Sequence, residues 1–236
     1  MSTFWQNLNV GYYDKLIKKG LDSNRGIQAN WHNQTFSEVK KLINTGDNHL
    51  DYACGSGTFI GYYLAQDSVG VDISQKQINY AKRQYKKNSS FYTLEEFNTF
   101  RFDYQFDVIT ILGLFEFLSD LEILELLEKL RKILKENGKI IITLPSFNIL
   151  FKFLLKVSSS FGNVDYSEQH NKRNNLDDLI EIFDNLNFSN IVIKKILNLG
   201  LFFSFVNLNY GTIVNNFLSR IFKGKVGFLY LIEIYK

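Results

Sequence analysis

The stretch from His49 to Phe59, HLDYACGSGTF, followed by Val69 to Ser74, VGVDIS, constrains the fold more than any other part of the chain. It reads as a strand, a glycine turn, the start of a helix and a second strand that ends in a carboxylate. Gly55 and Gly57 lack a Cβ, so the backbone can turn sharply at the end of the first strand and come close to a ligand. Asp72 then stands where a carboxylate accepts hydrogen bonds from both hydroxyls of a ribose. The spacing predicts an adenosine site at the carboxyl end of a parallel sheet.

Two details separate the cofactors that use such a site. A dinucleotide fingerprint is Gly-x-Gly-x-x-Gly with the pyrophosphate resting on the helix N-terminus, but the third glycine position holds Ile60. Asp51 places a second acid beside the turn, where it repels a pyrophosphate and attracts a ligand carrying an ammonium and a sulfonium. S-adenosylmethionine is such a ligand. The run Asp51-x-Ala53-x-Gly55-x-Gly57, with Asp72 about twenty residues on, resembles the class I S-adenosylmethionine-dependent methyltransferases.

The resemblance covers residues 45–145 closely and the remainder loosely. Phe106 to Asp120, FDVITILGLFEFLSD, is similar to the fourth strand and following loop of the quinone-biosynthesis O-methyltransferases. Leu130 to Pro145, LRKILKENGKIIITLP, is similar to that subgroup's helix, glycine turn and fifth strand. Three segments in the correct order carry the comparison further than one motif could.

This resemblance implies an α/β, Rossmann-like fold: a seven-stranded, mostly parallel sheet with helices on both faces and an antiparallel last strand. Apolar runs place strands near 49–53, 68–71, 90–94, 106–111, 138–144, 189–196 and 227–235, and helices near 57–65, 74–87, 121–135 and 176–186. Ser74 reads as an N-cap, as does Asn175 or Asp177 for the last of these helices, and Gly138 as a helix stop. Residues 1–236 read as one methyltransferase domain, with a helical N-terminal cap over 1–44 and acceptor-side insertions at 147–174 and 198–226. Asn30 to Asn33 is the most unusual patch of the cap, and helix packing is its simpler explanation.

The resemblance also assigns roles. Ala53, Gly55 and Gly57 frame the methionine part of the cofactor, Asp51 lies near its ammonium and Asp72 takes the ribose hydroxyls. Ile73 covers one face of the adenine, Leu94 and Glu95 meet its edge, and Leu112 lines the cofactor from below. The expected reaction is in-line methyl displacement onto a small-molecule acceptor, O-directed: a sugar, a quinone-like ring or a lipid precursor. The quinone O-methyltransferases read Glu-His after the fourth strand, whereas here Glu116 precedes Phe117, and a phenyl ring takes no proton. His170 is the best remaining base by position, with Glu116 and Tyr166 behind it. The rival reading is an inactive S-adenosylmethionine-binding or scaffold protein of the same fold. An NAD-dependent enzyme is disfavoured by Ile60 and Asp51.

Composition narrows the partners. A net charge of +3 without a long basic run argues against nucleic acid. Three scattered histidines and the single Cys54 match no metal-ligand spacing, and Cys54 can form no intrachain disulfide. No secretory leader or uninterrupted apolar span of about twenty residues is visible, so a cytoplasmic location is expected. Phe147 to Lys156 and Leu199 to Phe205 are strongly apolar. They read as a lid over the acceptor, as helices on the core, or as a peripheral membrane contact with Lys152, Lys156, Lys194 and Lys195 facing anionic headgroups. The oligomeric state is open.

Overall fold

In the computed structural model, residues 8–64, 66–86, 89–100, 102–146 and 176–236 are described. They open with two helices, α1 (Tyr12–Asp22) and α2 (Ile27–Lys40). The sheet follows: β1 (His49–Tyr52), β2 (Ser68–Asp72), β3 (Ser89–Thr93), β4 (Phe106–Leu112), β5 (Leu134–Pro145), β6 (Ser189–Ile196) and β7 (Leu229–Tyr235). Between the strands lie α3 (Gln75–Gln84), α4 (Leu94–Thr99), α5 (Asp120–Ile133), α6 (Leu176–Asn185) and α7 (Leu208–Phe222).

The strand order is β3-β2-β1-β4-β5-β7-β6. The pairs from β3 through β5 are parallel, and β7 runs antiparallel between β5 and β6. The expected Rossmann-like sheet with its reversed last strand is therefore present. The order turns back between β1 and β4, and ligands of open α/β sheets bind at the carboxyl ends beside such a switch.

The alternation of side chains along β4 shows why both faces must be covered. Ile109 and Ile111 pack with Ile123, Leu127 and Leu130 of α5 and with Leu179 and Phe183 of α6. Val108 faces the other way, with Val39 of α2, Phe59 and Ile141. The α5 residues recur at helical spacing, and Ser119 with Glu122 closes that helix's N-terminus in a capping box. Thr93 and Glu96 do the same for α4.

Local expectations differ from the structure at three places. The helix expected over 57–65 is a short wide turn, Phe59–Tyr63, and the chain is already extended at Leu64. Any Cβ on Gly61 would lie 2.0 Å from the Tyr85 ring, which takes the space beside the turn. Ser74 occupies the N-cap position of α3, but its side chain makes no capping bond. The α5 helix, expected to end near residue 135 with Gly138 as its stop, ends at Ile133 without Gly138, with Leu134 extended and Asn137 left-handed at φ 63°.

The N-terminal segment is fastened to α3, the helix that follows β2. Gly11 N–H donates to Gln77 Oε1 at 2.9 Å, and Gln77 Nε2 donates to Asn9 O at 3.0 Å. Asp14 is fully buried, accepting the Tyr80 hydroxyl at 2.6 Å and the Tyr85 hydroxyl while pairing with Lys18 at 3.0 Å. On the far side, Asn30 donates to Ser204 Oγ at 2.6 Å and Gln34 to Thr212 Oγ1 at 2.7 Å, docking α7 and the turn before it onto α2.

Candidate functional site

The first strand ends in a coil of left-handed residues: Ala53 at φ 66°, Gly55 at 55° and Gly57 at 74°. An alanine in that region costs about 1–2 kcal/mol, so the turn is held by its surroundings. Cys54 N–H donates to Val71 O at 2.9 Å, which pins the turn to β2. The carboxylate of Asp72, at the end of β2, accepts Gly55 N–H at 2.9 Å and Ser74 N–H at 2.8 Å. Each oxygen retains a lone pair for a further donor. Burial pushes the Asp72 carboxyl above its ordinary range, against the pull of those two N–H groups.

The two glycines do different work. A Cβ on Gly55 would meet nothing within 4 Å, so open space lies in front of it. A Cβ on Gly57 would come within 2.6 Å of the Phe91 ring and 2.9 Å of Ala81. Gly57 is therefore required by the closure of β3 and α3 on the turn, and Gly55 by its left-handed φ alone.

Asp51 is buried, and Thr110 Oγ1 donates to its Oδ1 at 2.7 Å. Burial raises its carboxyl to about 7, with the charge of Asp72 adding to the rise and the Thr110 bond opposing it. Thr110 also lies 3.0 Å from His49 Nε2, and His49 Nδ1 lies 3.0 Å from Ser68 Oγ. A buried polar chain thus crosses β2, β1 and β4 on one face of the sheet. Burial lowers the His49 imidazole to about 3, so the ring is neutral. His49 and Thr110 escaped the reading of the sequence, although a polar residue two places before Asp51 and a threonine amid the apolar β4 were the available signal.

The other expected residues are placed as follows. Ile73 is half-buried immediately after Asp72, and Leu112 ends β4, packed beside Phe59 and Val39. Leu94 opens α4 against the core, with Glu95 exposed next to it, while Glu96 is committed to its cap and to Lys82 at 3.5 Å. Because β1 to β4 are parallel, the segments holding these residues leave the same edge of the sheet. Glu116 is buried in the turn Phe115–Phe117, its Oε2 has no hydrogen-bond partner, and burial raises its carboxyl to about 7. Its Oε1 lies 3.5 Å from where a Cβ on Gly113 would be, which sets the carboxyl against the backbone just past β4. Tyr166 and His170 lie outside the described residues.

The Asn30–Asn33 patch is helix packing. Asn30 bonds to Ser204, the His32 ring sits against Tyr13 and Phe36, and Asn33 accepts the Tyr63 hydroxyl at 2.9 Å. Burial brings the His32 imidazole down to about 4. Among the described residues no group of three or more His, Cys, Asp or Glu is placed to hold a metal.

The ends of β1 and β2 thus bring the open side of Gly55 together with the carboxylates of Asp72 and the buried Asp51, and the same segment matches a family profile. The sequence profile described as a methyltransferase domain matches residues 50–140. Over that segment the chain is similar to methyltransferase domains. No curated protein matches the chain. Among solved structures, magnesium protoporphyrin IX methyltransferase from Synechocystis PCC 6803 with bound SAH aligns with a TM-score of 0.59 at 16% identity, covering 89% of this chain and 85% of that one. A SAM-dependent methyltransferase from Archaeoglobus fulgidus aligns at 0.57 with 19% identity, covering 86% and 93%. The plantazolicin methyltransferase BpumL in complex with SAH aligns at 0.58 with 19% identity, covering 99% and 93%. At these identities the likeness is one of fold, and it extends well beyond residues 50–140.

Proposed function

We propose that the protein is an S-adenosylmethionine-dependent methyltransferase that methylates an oxygen of a small-molecule acceptor. The observation that carries this reading is the carboxylate of Asp72 turned onto the Gly55 N–H beside an unfilled hollow. The donor supplies an activated methyl group on a sulfonium, so the protein's task is chiefly alignment, which can contribute roughly 7–11 kcal/mol in ideal cases.

In this reading the ribose hydroxyls donate to the free lone pairs of Asp72, and Gly55 keeps the hollow open for the methionine part, framed by Ala53 and Gly57. Asp51 meets the ammonium and ionises in doing so, because an adjacent cation favours the carboxylate. Ile73, Leu94, Glu95 and Leu112 enclose the adenine. Glu116 is the group that accepts the acceptor's proton: it is buried, its Oε2 has no hydrogen-bond partner, and its carboxyl is raised to about 7, where a general base is effective.

The acceptor class rests on the similarity of Phe106–Asp120 and Leu130–Pro145 to the quinone-biosynthesis subgroup, qualified by Phe117. The similar solved proteins are named for magnesium protoporphyrin IX and plantazolicin, so the fold accommodates acceptors of quite different shape. The inactive-scaffold reading draws on the phenyl ring at Phe117. Calorimetry with S-adenosylmethionine, paired with formation of S-adenosylhomocysteine in cell extract, separates the two. Binding with turnover supports the enzyme, binding alone supports the scaffold, and failure to bind removes both.

A further inference from the structure

Helix α7 is inverted relative to an ordinary surface helix. Its buried face carries Leu208, Gly211 and Asn215, whereas Tyr210, Ile213, Phe217 and Ile221 stand 53%, 64%, 62% and 57% exposed. These four recur at intervals of three, four and four, so they form a single stripe along the helix. The stripe continues at its N-terminal end. Phe203 meets the Tyr210 ring edge-on at 5.5 Å, and Phe205 and Val206 are 74% and 78% exposed. Such a contiguous apolar surface marks a place of contact.

The charges carried by this segment are of one sign. From Leu199 to Val226 the chain has no Asp or Glu and three cations, Arg220, Lys223 and Lys225. Lys195 N–H donates to Gly224 O at 2.8 Å, which brings Lys194 and Lys195 to the same end of the helix. Lys194 is paired with Glu38 at 3.5 Å, so it contributes less than the others. Asn209 and Asn216 are exposed along one flank of the stripe.

We propose that this face docks on an anionic lipid bilayer. Two copies of the chain meeting here would bring cations against cations with no acid of the segment itself to receive them. The face is the exposed side of a single helix, and a fluid interface accepts such a surface without a preformed complement. About 1.5 Å per residue makes the stripe roughly 17 Å long, too short to span the hydrocarbon, and no described helix is long and apolar enough to cross a membrane. The helix therefore lies in the plane of the membrane, with Phe205, Val206, Phe217 and Ile221 among the acyl chains and Arg220, Lys223 and Lys225 at the headgroups. The sequence expectation that Lys152 and Lys156 join this contact falls outside the described residues.

The test is co-sedimentation of the full chain with vesicles of phosphatidylcholine alone and of phosphatidylcholine with phosphatidylglycerol in equal parts. Binding is expected to the anionic vesicles only, and to weaken as salt is added. Ile213→Asp with Phe217→Asp should abolish it while leaving the melting temperature unchanged, since both side chains are already in water. Arg220→Gln, Lys223→Gln and Lys225→Gln together should weaken it about tenfold or more. Equal sedimentation with both vesicle types, or none with either, overturns the proposal, as does full binding by the Asp variant. A dimer in sedimentation velocity that the Asp variant converts to monomer overturns it in favour of a second copy on this face.

Discussion

The carboxylate of Asp72 accepts the N–H of Gly55 at 2.9 Å, so the residue placed to hold a ribose also braces the turn that shapes the hollow beside it. Binding and local geometry are linked through one side chain. Asp72→Ala should therefore weaken S-adenosylmethionine by at least about tenfold, or about 1.4 kcal/mol. Asp72→Asn should fall between the two, because its single carbonyl oxygen cannot accept both the Gly55 and Ser74 N–H groups as the carboxylate does. Titration calorimetry of the three proteins, with melting curves alongside, checks the order.

Substitution of the two glycines should split stability from binding. Gly57→Ala drives a Cβ to 2.6 Å from Phe91 at a left-handed φ of 74°, and should lower stability by about 2 kcal/mol or more. Gly55→Ala meets no atom within 4 Å and should lower stability by only about 1–2 kcal/mol. It nevertheless fills the hollow, so cofactor affinity should drop severely. Denaturant melts and cofactor titration on both variants read the two effects separately.

Affinity should depend on pH through Asp51. Its carboxyl is raised to about 7 from 3.8, so it must lose a proton before it can meet an ammonium. Affinity should rise as pH passes through about 7, and Asp51→Asn should flatten that rise. Thr110→Val removes the bond that opposes the shift and should move the midpoint upward. The sign for stability is opposite. A group whose folded value lies above its unfolded one stabilises fully below the unfolded value and loses that contribution as pH rises toward the folded one. The ligand-free protein should thus lose this contribution between about 4 and about 7, with the raised Asp72 acting in the same direction. Calorimetric titrations and thermal melts across that range measure both.

Glu116→Gln should leave cofactor affinity within about twofold and lower kcat by about a hundredfold or more if the carboxylate takes the acceptor's proton. Single-turnover rates, once an acceptor is in hand, distinguish this from a loss of folding.

Much of this architecture was legible because local patterns and global topology agree. The apolar run of β4, the glycine turn after β1 and the acidic end of β2 each state their roles within a few residues. What escaped the sequence lies between elements. Nothing local announces that Thr110 will bond Asp51 across β1 and β4, because that pairing depends on strand register. Nor could the sequence show that Tyr85 would cover Gly61 and reduce an expected helix to a wide turn. Ser74 illustrates the opposite failure: a residue of the right type at the right place whose hydroxyl stays buried and unbonded.

A crystal structure with S-adenosylhomocysteine tests the central claim most directly. The account predicts both ribose hydroxyls within about 3 Å of the Asp72 carboxylate and the amino-acid portion in the hollow before Gly55, with its ammonium facing Asp51. An adenosine bound anywhere else, or a side chain filling that hollow while the ligand is held, would contradict it.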